Sequence, residues 1–165
     1  MKPIRLVQLA FCVVVVELAG IVGSLFTIPS IPTWYATLQK PLLSPPSWVF
    51  GPVWTALYFL MGVSLFLVLR KGVKERRVKE AALIFCIQLG LNVLWSLLFF
   101  GLHSPILALI DIIALWFSIG WTIVVFYKLS RPAGLLLIPY LAWVSFASYL
   151  NYAIWIINGD SALFG

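Results

Sequence analysis

The chain has 165 residues, 63% of them hydrophobic and only 10% charged, with a mean hydropathy of +1.09. That balance excludes a solvated globular domain and places the chain in a membrane. The net charge of +6 does not signal nucleic acid, because the basic residues sit in short segments between apolar runs, where membrane topology accounts for them.

Five apolar runs are each long enough to cover about 30 Å of hydrocarbon at roughly 1.5 Å per residue. They predict an all-α integral membrane bundle of five helices over residues 6–26, 47–70, 81–102, 106–127 and 133–157, forming one transmembrane domain over 1–165. The first run carries Glu17 and continues to Phe26 without a small-residue cleavage pattern, so it reads as a span and not a signal peptide. Within it Gly20 and Ser24 form a small-xxx-small pair suited to close packing. Cys12 here and Cys86 in the third run have no metal-ligand or redox spacing and read as small side chains buried in the membrane.

The second run opens with PPSWVFGPVWT, residues 45–55. Pro45 and Pro46 end the preceding loop, Ser47 is placed to cap the helix, and Pro52 cannot donate to the Trp48 carbonyl. Gly51 adds clearance, so the expected result is a widened helix mouth with Trp54 aimed into the bundle. Gly72 then reads as a stop after Arg70 and Lys71, within RKGVKERRVKE (70–80).

If the helices alternate, every Lys and Arg except Lys40 falls on one side. The positive-inside rule then makes the N-terminus cytoplasmic and puts the 27–46 loop and the C-terminus outside, as in a bacterial-type plasma membrane. His103, in the short outer loop before Ser104-Pro105, reads as a solvated or headgroup residue, and no metal or cofactor is expected.

Trp48, Trp121 and Trp155 lie near span ends and suit the headgroup belt. Trp54, Trp95, Trp116 and Trp143 lie about 10 Å or more inside, where an indole N–H needs a partner. Three helices carry such residues on one face: Trp54, Tyr58 and Met61; Gln88, Asn92, Trp95 and Phe99; and Tyr140, Trp143, Ala147 with Leu150 or Asn151. These faces should point inward. Bulky indoles opposite one another hold helices apart and shape a cavity, whereas close helix packing favours small residues.

Glu17 and Asp111 have no basic residue inside any span to pair with, so each is protonated or accepts hydrogen bonds. Asp111, Ser118 and Thr122 share a face that fits an interhelical hydrogen-bond seam. Pro139 is placed to bend the fifth helix near Trp143. Two isolated acids make a thin proton pathway, and five helices do not divide into the halves of many secondary transporters.

The segments WYATLQKP (34–41), PPSWVFGPVWTALYFLMG (45–62), QLGLNVLWSLLFFG (88–101), Asp111 and LLIPYLAWVSFASYLNYAIW (136–155) together give the chain its resemblance to the translocator protein family. Members are also called tryptophan-rich sensory proteins or peripheral benzodiazepine receptors. The resemblance implies a five-helix bundle, commonly a homodimer, that binds porphyrins such as protoporphyrin IX or similar flat hydrophobic ligands. It implies a pocket formed by Tyr35 and Pro45 from a lid-like outer loop, Trp54 and Tyr58, Asn92 and Trp95, and Trp143, Ala147 and Leu150. Two alternatives to a receptor come with it: light-dependent porphyrin breakdown using Trp54 and Trp143, or transport of tetrapyrroles or related metabolites. Two departures stand out. Leu43 replaces the usual Trp of the loop, and Ile156 replaces the basic residue that ends the sterol-associated pattern after Tyr152 and Trp155, which argues against sterol binding.

Overall fold

The computed structural model describes residues 3–159. Among them the chain is all-helical, with five stretches long and apolar enough to cross a bilayer. The first is α1, Pro3–Ser30, longer at both ends than the apolar run suggests, with Pro29 accommodated in its last turn. A single helical turn follows, α2, Trp34–Thr37.

The second span opens with a 3-10 turn, Ser47–Val49, and continues as α3, Phe50–Leu69. Ser47 makes no capping hydrogen bond and lies inside the 3-10 turn, so the expected cap is not formed. Pro52 falls in the first turn of α3, where its missing N–H has no intrahelical acceptor to lose. The glycine stop is present: Gly72 has a φ of +132°, a left-handed conformation that a side chain would strain.

The third span begins earlier than its apolar run, as α4, Arg76–Ser96. Its first turn tolerates charge because Arg76 and Glu80 pair at i, i+4, 2.7 Å apart. It ends in one wider π turn, Leu97–Gly101. Ser104 then caps α5, Pro105–Leu129, accepting from the Leu107 amide at 3.4 Å. The fifth span is divided into α6, Arg131–Leu135, and α7, Ile138–Asn158. The expected bend at Pro139 is thus a break before it: proline occupies the first turn of a new helix, the position it favours.

At one end of the bundle, hereafter the loop end, Ser30 meets His103 and Gln39 meets Asn158. Apart from Lys40, the described basic residues belong to the opposite end or to the segments leading into it, and Lys2 lies outside the described residues. There α3 is tied to α6 by the Ser64 hydroxyl, which donates to the Ala133 carbonyl at 2.7 Å. One buried cluster fills this half, with Phe85 stacked on Phe126 at 5.6 Å and Met61, Leu115 and Ile119 around them. A second cluster, Trp34, Tyr35, Phe99 and Phe100 with Ala108 and Ile154, closes the loop end.

The close approach of α1 to α3 is made at Gly62, where an added Cβ would lie 2.6 Å from the Val13 Cα. Toward the loop end the separation is larger, and a Cβ on Gly51 would meet nothing within 4 Å. The open space beside Gly51 belongs to a cavity that this glycine lines, in keeping with the expected clearance, and the glycines that permit close helix contact are Gly62 and Gly20.

Candidate functional site

The widening between α1 and α3 holds a cavity of about 300 Å³, at the lower end of the size range of small-molecule sites. Trp54 and Tyr58 of α3, Trp95 of α4, and Trp143 and Ala147 of α7 all line it, so residues from three inward-pointing faces meet around one void. Trp54 leans on Tyr58 with ring centroids 5.5 Å apart and meets Tyr140 edge-on at 6.2 Å. Phe50 contacts Trp143 edge-on at 6.1 Å, joining the mouth of α3 to α7.

The cavity floor is held by a hydrogen-bond chain across three helices. The Tyr58 hydroxyl donates to the Asn92 side-chain oxygen, and the Asn92 amide donates to the Tyr140 hydroxyl at 2.9 Å. All three residues are buried, so each polar group satisfied here avoids the cost of isolation in hydrocarbon. Asn92 thus stands behind the floor and fixes the Tyr58 ring without lining the cavity.

Of the deep indoles, Trp95 donates to the Asn151 side-chain oxygen at 3.0 Å and Trp116 to the Ser145 hydroxyl at 2.8 Å. Asn151 in turn donates to the Pro105 carbonyl at 2.7 Å, which ties α7 to the start of α5. The expectation of a partner fails at Trp54 and Trp143, whose indole N–H groups have none among the described residues.

Tyr35, Pro45, Asn92 and Leu150 do not line the cavity. Tyr35 is buried among Phe99 and Phe100, with the Lys40 ammonium 4.7 Å from its ring centroid, and burial raises its pKa above the ordinary tyrosine value. Leu150 is buried and Pro45 half-buried. The loop end of the cavity is instead lined by Ile31 and Ser47. Leu43 is exposed.

The loop-end segment is nonetheless held in place. Asn158 accepts from the Gln39 amide and donates to the Gln39 carbonyl, both at 2.9 Å, a two-point clasp on backbone. His103 is not a solvated group, as its sequence context suggested: its ring stacks on Trp34 at 4.5 Å and lies 3.3 Å from the Ser30 hydroxyl. The hydrogen-bond seam expected on α5 is also absent. Thr122 donates to the Ser118 carbonyl of its own helix, and one Asp111 carboxyl oxygen is buried without a partner among the described residues.

Sequence reasoning missed the wall contributed by α1. Glu17, Gly20, Ser24 and Thr27 recur at three- and four-residue spacing and all line the cavity. Gly20 is required there, since an added Cβ would lie 2.5 Å from the Tyr58 ring. The signal was present in the small residues at 20 and 24: Gly20 lets the Tyr58 ring of α3 pack closely on α1, and both residues also line the void beside it.

Comparison with known proteins gives one consistent result. The profile of the TspO/MBR family matches residues 12–156. A tryptophan-rich protein TspO of Archaeoglobus fulgidus is 48% identical, over 93% of this chain and 99% of its own length. The translocator protein of Homo sapiens is 41% identical over 84% of this chain and 83% of its own. A tryptophan-rich sensory protein of Cereibacter sphaeroides is 35% identical over 76% and 77%.

Proposed function

The chain belongs to the TspO/MBR family and is a multi-pass integral membrane protein, and from that premise we propose that it is a receptor for flat hydrophobic tetrapyrroles such as protoporphyrin IX. The cavity between α1, α3, α4 and α7 is the proposed binding site, and its loop end faces the outside of the cell.

The observation that carries this reading is the convergence of Trp54, Tyr58, Trp95 and Trp143 on one void. Aromatic faces stack on a flat conjugated ring and gain contact area at low conformational cost. With Tyr58 pinned by Asn92, the floor is rigid before a ligand arrives, and preorganisation lowers the entropic cost of binding. The cavity is small for a whole macrocycle, so part of the ligand extends past Ile31 and Ser47 at the loop end.

Titration of protoporphyrin IX into the detergent-solubilised protein, followed by the shift of the porphyrin's own absorbance band, tests this. Trp54→Phe and Trp143→Phe each weaken binding by about twofold to tenfold, the range expected for altering one aromatic pair. Unchanged affinity in both variants rejects the site.

A further inference from the structure

The third span gives the cavity two large aromatic residues that a regular helix would turn away from each other. Trp95 and Phe100 both line the void, yet residues five apart on an α-helix point about 140° apart. The π turn removes the mismatch. Within it the Leu102 amide donates to the Leu97 carbonyl, five residues back, at 2.8 Å, and the wider turn brings Phe100 round to the Trp95 side, where the two rings meet edge-on at 5.9 Å. Phe99 instead stacks on Trp95 at 5.2 Å and belongs to the loop-end cluster without lining the cavity.

Phe100 touches both the cavity and Tyr35, which does not line it: its ring centroid lies 5.7 Å from that of Tyr35 and 4.8 Å from that of Phe99. It is thus the partition between the void and the aromatic layer that closes the loop end. Two other rings of the lining are tied by hydrogen bonds, Tyr58 to Asn92 and Trp95 to Asn151, so changing either strands a buried polar group. Phe100 carries no polar atom, and the space its ring fills adjoins the void. Because a cavity of about 300 Å³ is small for a whole macrocycle, the side chain that closes it toward Tyr35 controls how much of a flat ring system goes in.

We propose that Phe100, turned inward by the π turn, is a specificity-determining residue that sets the size of the flat ligand the cavity admits. The proposal rests on the tetrapyrrole reading and adds a size limit to it. Half a macrocycle, a dipyrromethene, fits beside the Phe100 ring, whereas a full macrocycle is held partway out at the loop end. Trimming the ring extends the cavity toward Tyr35 and lets the macrocycle seat further in. A larger ring at the same place pushes it out.

Protoporphyrin IX and a dipyrromethene are each titrated, by the shift of the ligand's own absorbance band, against the wild-type protein, Phe100→Ala, Phe100→Leu and Phe100→Trp. Phe99→Leu, in the same cluster but outside the lining, is the control, and the thermal melt of every variant is recorded. The ratio of protoporphyrin to dipyrromethene affinity rises by about tenfold in Phe100→Ala, the scale on which an apolar pocket distinguishes ligands by a methylene-sized group. It rises less in Phe100→Leu and falls in Phe100→Trp, while Phe99→Leu lowers the melt and leaves the ratio unchanged. A ratio that no Phe100 variant alters, or that Phe99→Leu alters equally, overturns the proposal while leaving the tetrapyrrole site standing, as does equal weakening of both ligands in Phe100→Ala, which marks the ring as structural. Failure of protoporphyrin to bind the wild-type protein and Phe100→Ala alike removes the tetrapyrrole reading and this proposal with it.

Discussion

Tyr58 and Tyr140, on different helices, are joined through a single amide: Asn92 accepts from the first and donates to the second. Neither hydroxyl has another hydrogen-bond partner among the described residues, so one side chain of α4 fixes the floor of the cavity and the buried face of α7 together.

Asn92→Ala strands both hydroxyls away from water and costs about 1–3 kcal/mol for each buried group left unsatisfied. Asn92→Leu, close in volume and unable to hydrogen-bond, destabilises similarly, which separates lost hydrogen bonding from a lost volume. The check is thermal or denaturant unfolding in detergent; a variant as stable as the parent shows that the chain is dispensable.

Gly62 and Gly51 make a matched pair for testing how α1 and α3 diverge. Gly62→Ala forces a Cβ against the Val13 backbone, and the overpacking costs about 1–3 kcal/mol. Gly51→Ala meets open space and replaces the flexible residue with a better helix former, so it is neutral or stabilising by up to about 1 kcal/mol. Equal effects of the two contradict the crossing geometry.

The clasp between Asn158 and Gln39 predicts a kinetic effect. Asn158→Ala releases the backbone at residue 39, speeds amide hydrogen exchange at residues 38–40 and raises the ligand dissociation rate more than it alters the melt of the bundle. Exchange at 38–40 indistinguishable from the parent shows that the loop end is held by Trp34 and His103 alone.

The five spans were legible because the sequence separates apolar runs with charge, proline and glycine, and a bilayer leaves few alternatives to a helix. The inward direction of Trp54, Tyr58 and Asn92 was legible too, since residues three or four apart share a face. The Glu17 wall was not, because which small residues of α1 face a void depends on its crossing with α3. That crossing is set where Gly62 of α3 meets Val13 of α1, a contact between residues far apart in sequence. The break before α7 escaped for a related reason: Leu136 and Leu137 read as apolar continuation, while the Ser64 bond to Ala133 holds α6 in place against α3.

A structure of the protein with bound protoporphyrin IX tests the central claim most directly. The account predicts ligand density against Trp54, Trp95 and Trp143, with the rest of the ligand extending past Ile31 and Ser47 at the loop end. Density lying instead in the shallow groove of Trp116, Phe117 and Ser148 on the far side of the bundle, with the cavity between α1 and α3 empty, contradicts it.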